Sequence, residues 1–167
     1  MTQTSEIPRN AAVGNRRSAE GAHKWGPIFV ATDASEGAFR AVDAAGALAA
    51  ELNADLWIAD VIDGTSDTEL TQFAHTEGTS IGDVTNATAL RVLDEAVKRA
   101  EARGAKKIHT IVRAGDCTEE IIEAARQIGA TAIFVGRRGS GRLKGLLIGS
   151  VSQKLACLSP SMLVIVP

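Results

Sequence analysis

The sequence predicts a three-layer α/β sandwich on a five-stranded, mostly parallel sheet, and three observations carry that expectation. Five short runs rich in Ile, Val and aromatic residues recur between Ile28 and Val166, with the length and composition of strands buried on both faces. Stretches with helical apolar spacing fall between them. Each strand–helix–strand step is long enough for a right-handed crossover, which makes the joined strands parallel.

The elements follow in order. Ile28–Thr32 (IFVAT) is the first strand, and Ser35–Leu52 an Ala-rich helix whose apolar stripe is marked by Phe39, Val42, Leu48 and Leu52. Leu56–Ile62 (LWIADVI) is the second strand. Asp63–Val84, rich in Thr, Ser, Gly and Asp, reads as a variable insertion, and long loops of this kind serve as lids or binding loops. A helix is expected over Thr88–Arg103, with Leu90, Leu93, Ala96 and Val97 inward and Gly104 as its stop. Lys107–Val112 (KIHTIV) is the third strand, closed by the turn Arg113-Ala114-Gly115. Asp116 precedes Glu119 by three, the spacing of a capping box, and opens a helix that runs through Ile128 and ends at Gly129. Thr131–Val135 (TAIFV) is the fourth strand. Beyond a glycine-containing loop, Val151, Leu155 and Leu158 mark a helix with Ser150 at its N-cap. Met162–Val166 (MLVIV), between Pro160 and Pro167, is the last strand. Outermost in the sheet, it would leave an apolar edge that invites a two-fold homodimer through antiparallel terminal strands.

Composition bounds the function. A chain of 167 residues with 45% hydrophobic content is one ordinary domain, here residues 26–167, and is not wholesale disordered. Residues 1–25 are polar and aperiodic and read as a flexible arm; a transit peptide is the weaker alternative. No apolar run approaches the roughly 18 residues of a membrane span, and the amino terminus has no apolar secretion segment, so neither membrane partner nor export is expected. A formal charge of −2 gives no basic footprint for nucleic acid. Cys117 and Cys157 make neither a disulfide framework nor a metal spacing with histidine, which fits a reducing cytoplasm.

Gly136-Arg137-Arg138-Gly139, followed after nine residues by Gly149-Ser150, hangs between a strand and a helix. Glycines let backbone approach an anion, and the free amides and dipole of a helix start favour negative charge by about 0.3–1 kcal/mol at exposed sites. Ser150 adds a hydroxyl donor, Val151 begins the helix, and Arg137, Arg138, Arg142 and Lys144 supply positive charge. The pattern reads as a phosphate cradle, although glycines also make plain turns.

Open α/β sheets bind ligands at the carboxyl ends of their strands. That rule places Asp33 and Ser35, Val61 and Asp63, and Arg113 and Gly115 along one edge with the loop. A carboxylate beside polyphosphate must take a ribose hydroxyl or join a divalent cation, which gives Asp33 either role. An Asx turn capping the next helix suits it as well.

With these residues in view, GRRG, nine residues and then GS resembles the nucleotide-binding motif of the universal stress protein family, GxxGx9G followed by Ser or Thr. VATDAS resembles the family's first strand and turn, ADVID the end of its second strand, RAGDCTEEIIEAA its third-strand turn and helix, and IGATAIFVGRRG its fourth strand. The resemblance covers residues 27–167 and implies a Rossmann-like, adenine nucleotide α-hydrolase-like domain, commonly a homodimer, of the ATP-binding subgroup. By resemblance, Gly136, Gly139, Gly149 and Ser150 hold phosphates, Asp33 lies near ribose and a Mg²⁺ or Mn²⁺ carried with ATP, and the Val61 backbone contacts adenine. Ala31 and Thr32 lie along the adenosine, with Arg113 and Gly115 nearby. Ala31 and Cys117 stand where many members have proline and Ala34 where many have glycine, which bears on adenosine geometry more than on phosphate.

Catalysis finds less support. There is no Walker-A pattern, His23 is in the arm, His75 in the insertion and His109 inside a strand, and hydrolysis needs a positioned water and a group to orient it. The expectation is an ATP-binding regulatory protein of the stress response. The alternatives are a slow phosphohydrolase or phosphotransferase using Asp33 and Ser150, and a dimeric interaction module without nucleotide-dependent activity. Cys117 near a helix start could sense oxidants or simply be a small helix-start residue.

Overall fold

The computed structural model of the chain describes residues 25–62, 81–140 and 147–167. The arm read over 1–25, Trp25 apart, and residues 63–80 of the insertion lie outside them.

Five parallel strands, β1 (Ile28–Thr32), β2 (Leu56–Ile62), β3 (Ile108–Ala114), β4 (Ala132–Gly136) and β5 (Met162–Val166), form one sheet in the order β3-β2-β1-β4-β5. Four helices connect them: α1 (Glu36–Leu52), α2 (Ile81–Ala102), α3 (Cys117–Ile128) and α4 (Ser150–Leu158). The three-layer expectation is met, with every strand pair parallel.

Alternation along the buried strands sends side chains to both faces. Ile28, Val30, Leu56, Ile58, Ala132 and Phe134 pack with α1 and α2 on one face. Phe29, Ala59, Ile111, Ile133 and Val135 pack with Ile121, Ile122 and Ala125 of α3 and Leu155 of α4 on the other. The face that α1 buries is mostly alanine (Ala38, Ala41, Ala45, Ala49, with Val42 and Gly46), so the helix sits close to the sheet, while Phe39, Leu48 and Leu52 are only partly buried.

Two helix starts and one burial differ from the sequence reading. Helix α2 starts at Ile81 rather than Thr88, inside the segment read as insertion. Gly82, Thr85 and Asn86 are poor helix formers, but adding turns to a packed helix costs far less than nucleating one. Leu90, expected inside, is 50% exposed. Helix α4 takes Gly149, not Ser150, as its N-cap. Ser35 and Asp116 cap as their positions suggest: Ser35 accepts from Ala38 N, and Asp116 from Thr118 N and Glu119 N. No described helix is long and apolar enough to cross a membrane.

Candidate functional site

The order of the strands reverses between β1 and β4, and there the two strands part. They pair only from Ile28↔Ala132 to Val30↔Phe134, whereas β1 runs on to Thr32 and β4 to Gly136. Helix α1 leaves β1 toward one face and α4 leaves β4 toward the other. A crevice at such a switch point is where this class of sheet takes ligands. Here it holds a cavity of about 580 Å³, within the range typical of small-molecule sites.

The lining is divided chemically. On the side of β2 and α3 lie Val61, Cys117 and Ile121, with Ala31 and Val135 on the neighbouring strands. Cys117 Sγ is 3.9 Å from the Val61 carbonyl oxygen. On the side of the β4 loop and α4 lie Gly136, Arg138, Gly139, Ser140, Gly149 and Ser150.

The start of α4 is built to present amides. Gly149 takes the extended cap conformation (φ −70°, ψ 157°) and, lacking a side chain, offers no acceptor to the first-turn N–H groups. Those groups have no intrahelical partner. Ser150, the first helical residue, lines the cavity. Below it, the buried Ser152 hydroxyl donates to the Gly136 carbonyl at 2.8 Å and ties the first turn of α4 to the end of β4. Gly149 N donates to the Arg137 carbonyl at 2.8 Å, which seats the glycine loop on the same turn.

The start of α1 forms the opposite wall. A Cβ on Gly136 would lie 2.6 Å from the Gly37 carbonyl carbon and 2.7 Å from Ala38 N, so glycine is needed here for α1 to rest on β4. Asp33 Oδ1 accepts from Ser35 N at 3.1 Å, the Asx turn, and Oδ2 accepts from Ser140 N at 2.6 Å. Ala34 between them is held in the left-handed region at φ 63°, a strained position for a residue with a Cβ. A glycine would take the same conformation without that strain.

Of the residues singled out in the sequence, Ala31, Thr32, Asp33, Val61, Gly136, Gly139, Gly149, Ser150 and Val151 line this one cavity. Arg113, Gly115 and Arg137 are not among its lining residues. Arg113 shares the face of Ile111 and turns its guanidinium to the Gln127 side chain on α3. Gly115, at φ 146°, forms the turn after β3 and donates to the Ile62 carbonyl at 3.1 Å. Arg137 is exposed, and its amide donates to the Val166 carbonyl at 2.6 Å. His109 hydrogen-bonds Asp55 at 3.2 Å and stacks on Trp57, toward the amino end of the sheet. His23, Asp63, His75, Arg142 and Lys144 lie outside the described residues.

Sequence reasoning did not assign Ile121, Val135, Ser140 and Ser152 to the site. Ile121 lies one turn beyond Cys117, and Ser152 three before the buried Leu155, so helical spacing placed both on inward faces. Ser140 carried no signal, because its amide rather than its side chain is used.

The charges are few. Asp60, opposite Thr32 on β2, has its carboxyl pushed up to about 6 by burial, with the Asp33 charge adding and a hydrogen bond from the Val61 amide opposing. Asp116 is held below the usual range by the Glu119 amide first, then by the Thr118 amide and Lys154 at 3.7 Å. Among the described residues no group of three His, Cys, Asp or Glu could hold a metal ion. Asp33 is the one carboxylate in the described lining, and each of its oxygens already accepts an amide.

Comparison with known proteins agrees with this architecture. The model of the universal stress protein family matches residues 24–167. Universal stress protein YxiE of Bacillus subtilis (strain 168) is 34% identical over 146 residues, covering 83% of this chain and 97% of that protein. Among solved structures, a universal stress protein in complex with cAMP superimposes with a TM-score of 0.68 at 30% identity, covering 86% of this chain and 98% of that one. Hypothetical protein MJ0577 gives a TM-score of 0.70 at 25% identity, covering 86% and 96%.

Proposed function

The chain belongs to the universal stress protein family, and we propose that within it this protein is an ATP-binding regulator whose state reports nucleotide occupancy in the cytoplasm. One observation carries the reading. A single cavity at the strand-order reversal joins an apolar slot (Ala31, Val61, Ile121, Val135) to a glycine-lined, uncapped helix start (Gly136, Gly139, Gly149, Ser150). A flat apolar base suits the first, and phosphates accepting backbone amides suit the second. Thr32, the last residue of β1, lines the same cavity and would lie along a ribose. The relative crystallised with cAMP supports an adenine nucleotide as the ligand class.

A divalent cation fits only as a companion of the nucleotide. With no three-residue metal cluster among the described residues, Mg²⁺ or Mn²⁺ would be held by phosphate oxygens and water, with Asp33 as the protein carboxylate within reach. When bound, it would neutralise phosphate charge. Arg138 is the cation in the described lining and adds to that neutralisation.

The reading favours holding phosphates over cutting them. The described lining contains no histidine, and both oxygens of its carboxylate accept backbone amides. As the outermost strand, β5 leaves an edge on which Met162 is 55% exposed, and pairing with a second copy through Met162–Val166 completes the proposal. Native mass spectrometry of the freshly purified protein, then of protein supplied with nucleotide, tests it. A mass increment matching one adenine nucleotide per chain is expected; no increment with ATP, ADP, AMP or cAMP would refute it.

A further inference from the structure

Gly139 is not one of the glycines held at positive φ, so backbone conformation does not explain its lack of a side chain. The three atoms nearest to a Cβ built there all belong to Asp33, and that Cβ would penetrate the van der Waals shell of Oδ2. The next residue secures the same oxygen, Ser140 N donating to it at 2.6 Å. Because Ser35 N fixes the other oxygen at 3.1 Å, the carboxylate cannot swing away without losing a bond. On its far side the loop rests on the start of α4: a Cβ on Gly149 would lie 3.5 Å from Arg138 Cα and 3.8 Å from Gly139 N.

We infer that Asp33 is a positioning residue for the phosphate end of the site: its carboxylate docks on the bare Cα of Gly139, latches the Ser140 amide and sets the seat of the glycine loop over the first turn of α4. Gly139 must then be glycine because of Asp33, not because a phosphate needs the space. The consequence for ligand binding rests on the nucleotide-site reading above; the coupling between the two residues does not.

A double-mutant cycle of Gly139→Ala and Asp33→Ala separates the two. In urea unfolding, Gly139→Ala lowers the midpoint in the wild-type background and changes it little once Asp33 is alanine, since contacting residues are non-additive. Equal shifts in both backgrounds would overturn the inference. Asp33→Ser, whose shorter side chain also withdraws from Gly139, runs the same cycle if the alanine variant is too unstable. Calorimetry supplies the readout a merely structural role would not move. Asp33→Ala weakens ATP about tenfold while adenosine changes less than about twofold, and Asp33→Asn, which keeps one acceptor oxygen, recovers part of the ATP loss without added metal. Equal losses for adenosine and ATP, or an Asn variant no better than Ala, would contradict the positioning role. A wild-type protein that binds no adenine nucleotide would defeat the site reading and leave the unfolding cycle to decide the coupling.

Discussion

Replacing Asp60 with Asn should stabilise the fold at pH 8 and leave it nearly unchanged at pH 4. Asp60 sits on β2 opposite Thr32, and burial first, then the Asp33 charge, push its carboxyl from 3.8 up to about 6. Since the folded-state pKa lies above the unfolded one, the stability tied to this group is fully present below about pH 4 and is lost as pH rises through about 6. A displacement of that size is worth about 3 kcal/mol at most. The side chain is only partly buried, so solvent screening brings the expectation to about 1–1.5 kcal/mol. Asparagine keeps the shape and the hydrogen-bonding oxygen with no charge to desolvate. Urea unfolding of both proteins at pH 4.5, 6 and 8 reads the difference, with the other carboxylates cancelling between them. A gap that opens in favour of the variant between pH 4.5 and 8 is expected. A constant gap, or a wild type that is the more stable at pH 8, would refute the reasoning.

Two other substitutions probe the walls of the cavity. Ala34→Gly relieves the left-handed backbone at φ 63° and should raise stability by about 0.5–1 kcal/mol, after allowing for glycine's greater unfolded-state entropy; a lower thermal midpoint would show that Ala34 carries no strain. Ser152→Ala removes the buried donor to the Gly136 carbonyl at 2.8 Å and should cost about 1–3 kcal/mol in urea unfolding; a neutral result would mean that α4 is anchored to β4 by packing alone. Sedimentation at micromolar concentration should find dimers, with Met162→Lys on the β5 edge shifting them to monomers, and monomers alone in the wild type would set that pairing aside.

The strands were legible because burial on both faces leaves a plain mark in sequence: IFVAT and TAIFV contain scarcely a polar residue. Helix α2 was harder at its start, where Gly82, Thr85 and Asn86 speak against a helix that its packed later turns sustain. The cap of α4 moved from Ser150 to Gly149 because a cap is decided by one residue's backbone angles, and the hydroxyl next to it is only a correlate. At the site, the rule that ligands lie at strand carboxyl ends put Asp33 and Val61 on one edge with the glycine loop, and these line one cavity together with Ala31 and Thr32, which the family resemblance supplied. It misplaced Arg113, whose position on the sheet edge was right while its side chain followed the parity of Ile111 to the α3 face. The contact of Asp33 with Gly139 and Ser140 joins opposite ends of the sequence through a backbone amide, and neither spacing nor composition records such a bond.

The central claim is that the crevice between β1 and β4 binds an adenine nucleotide with its phosphates on the start of α4. Isothermal titration of the full chain with ATP and Mg²⁺ tests it most directly. The account predicts one site per chain with micromolar affinity, about −8 kcal/mol, and weaker binding of adenosine, which lacks the phosphates. No saturable heat with ATP, ADP, AMP or cAMP, or adenosine binding as tightly as ATP, would contradict it.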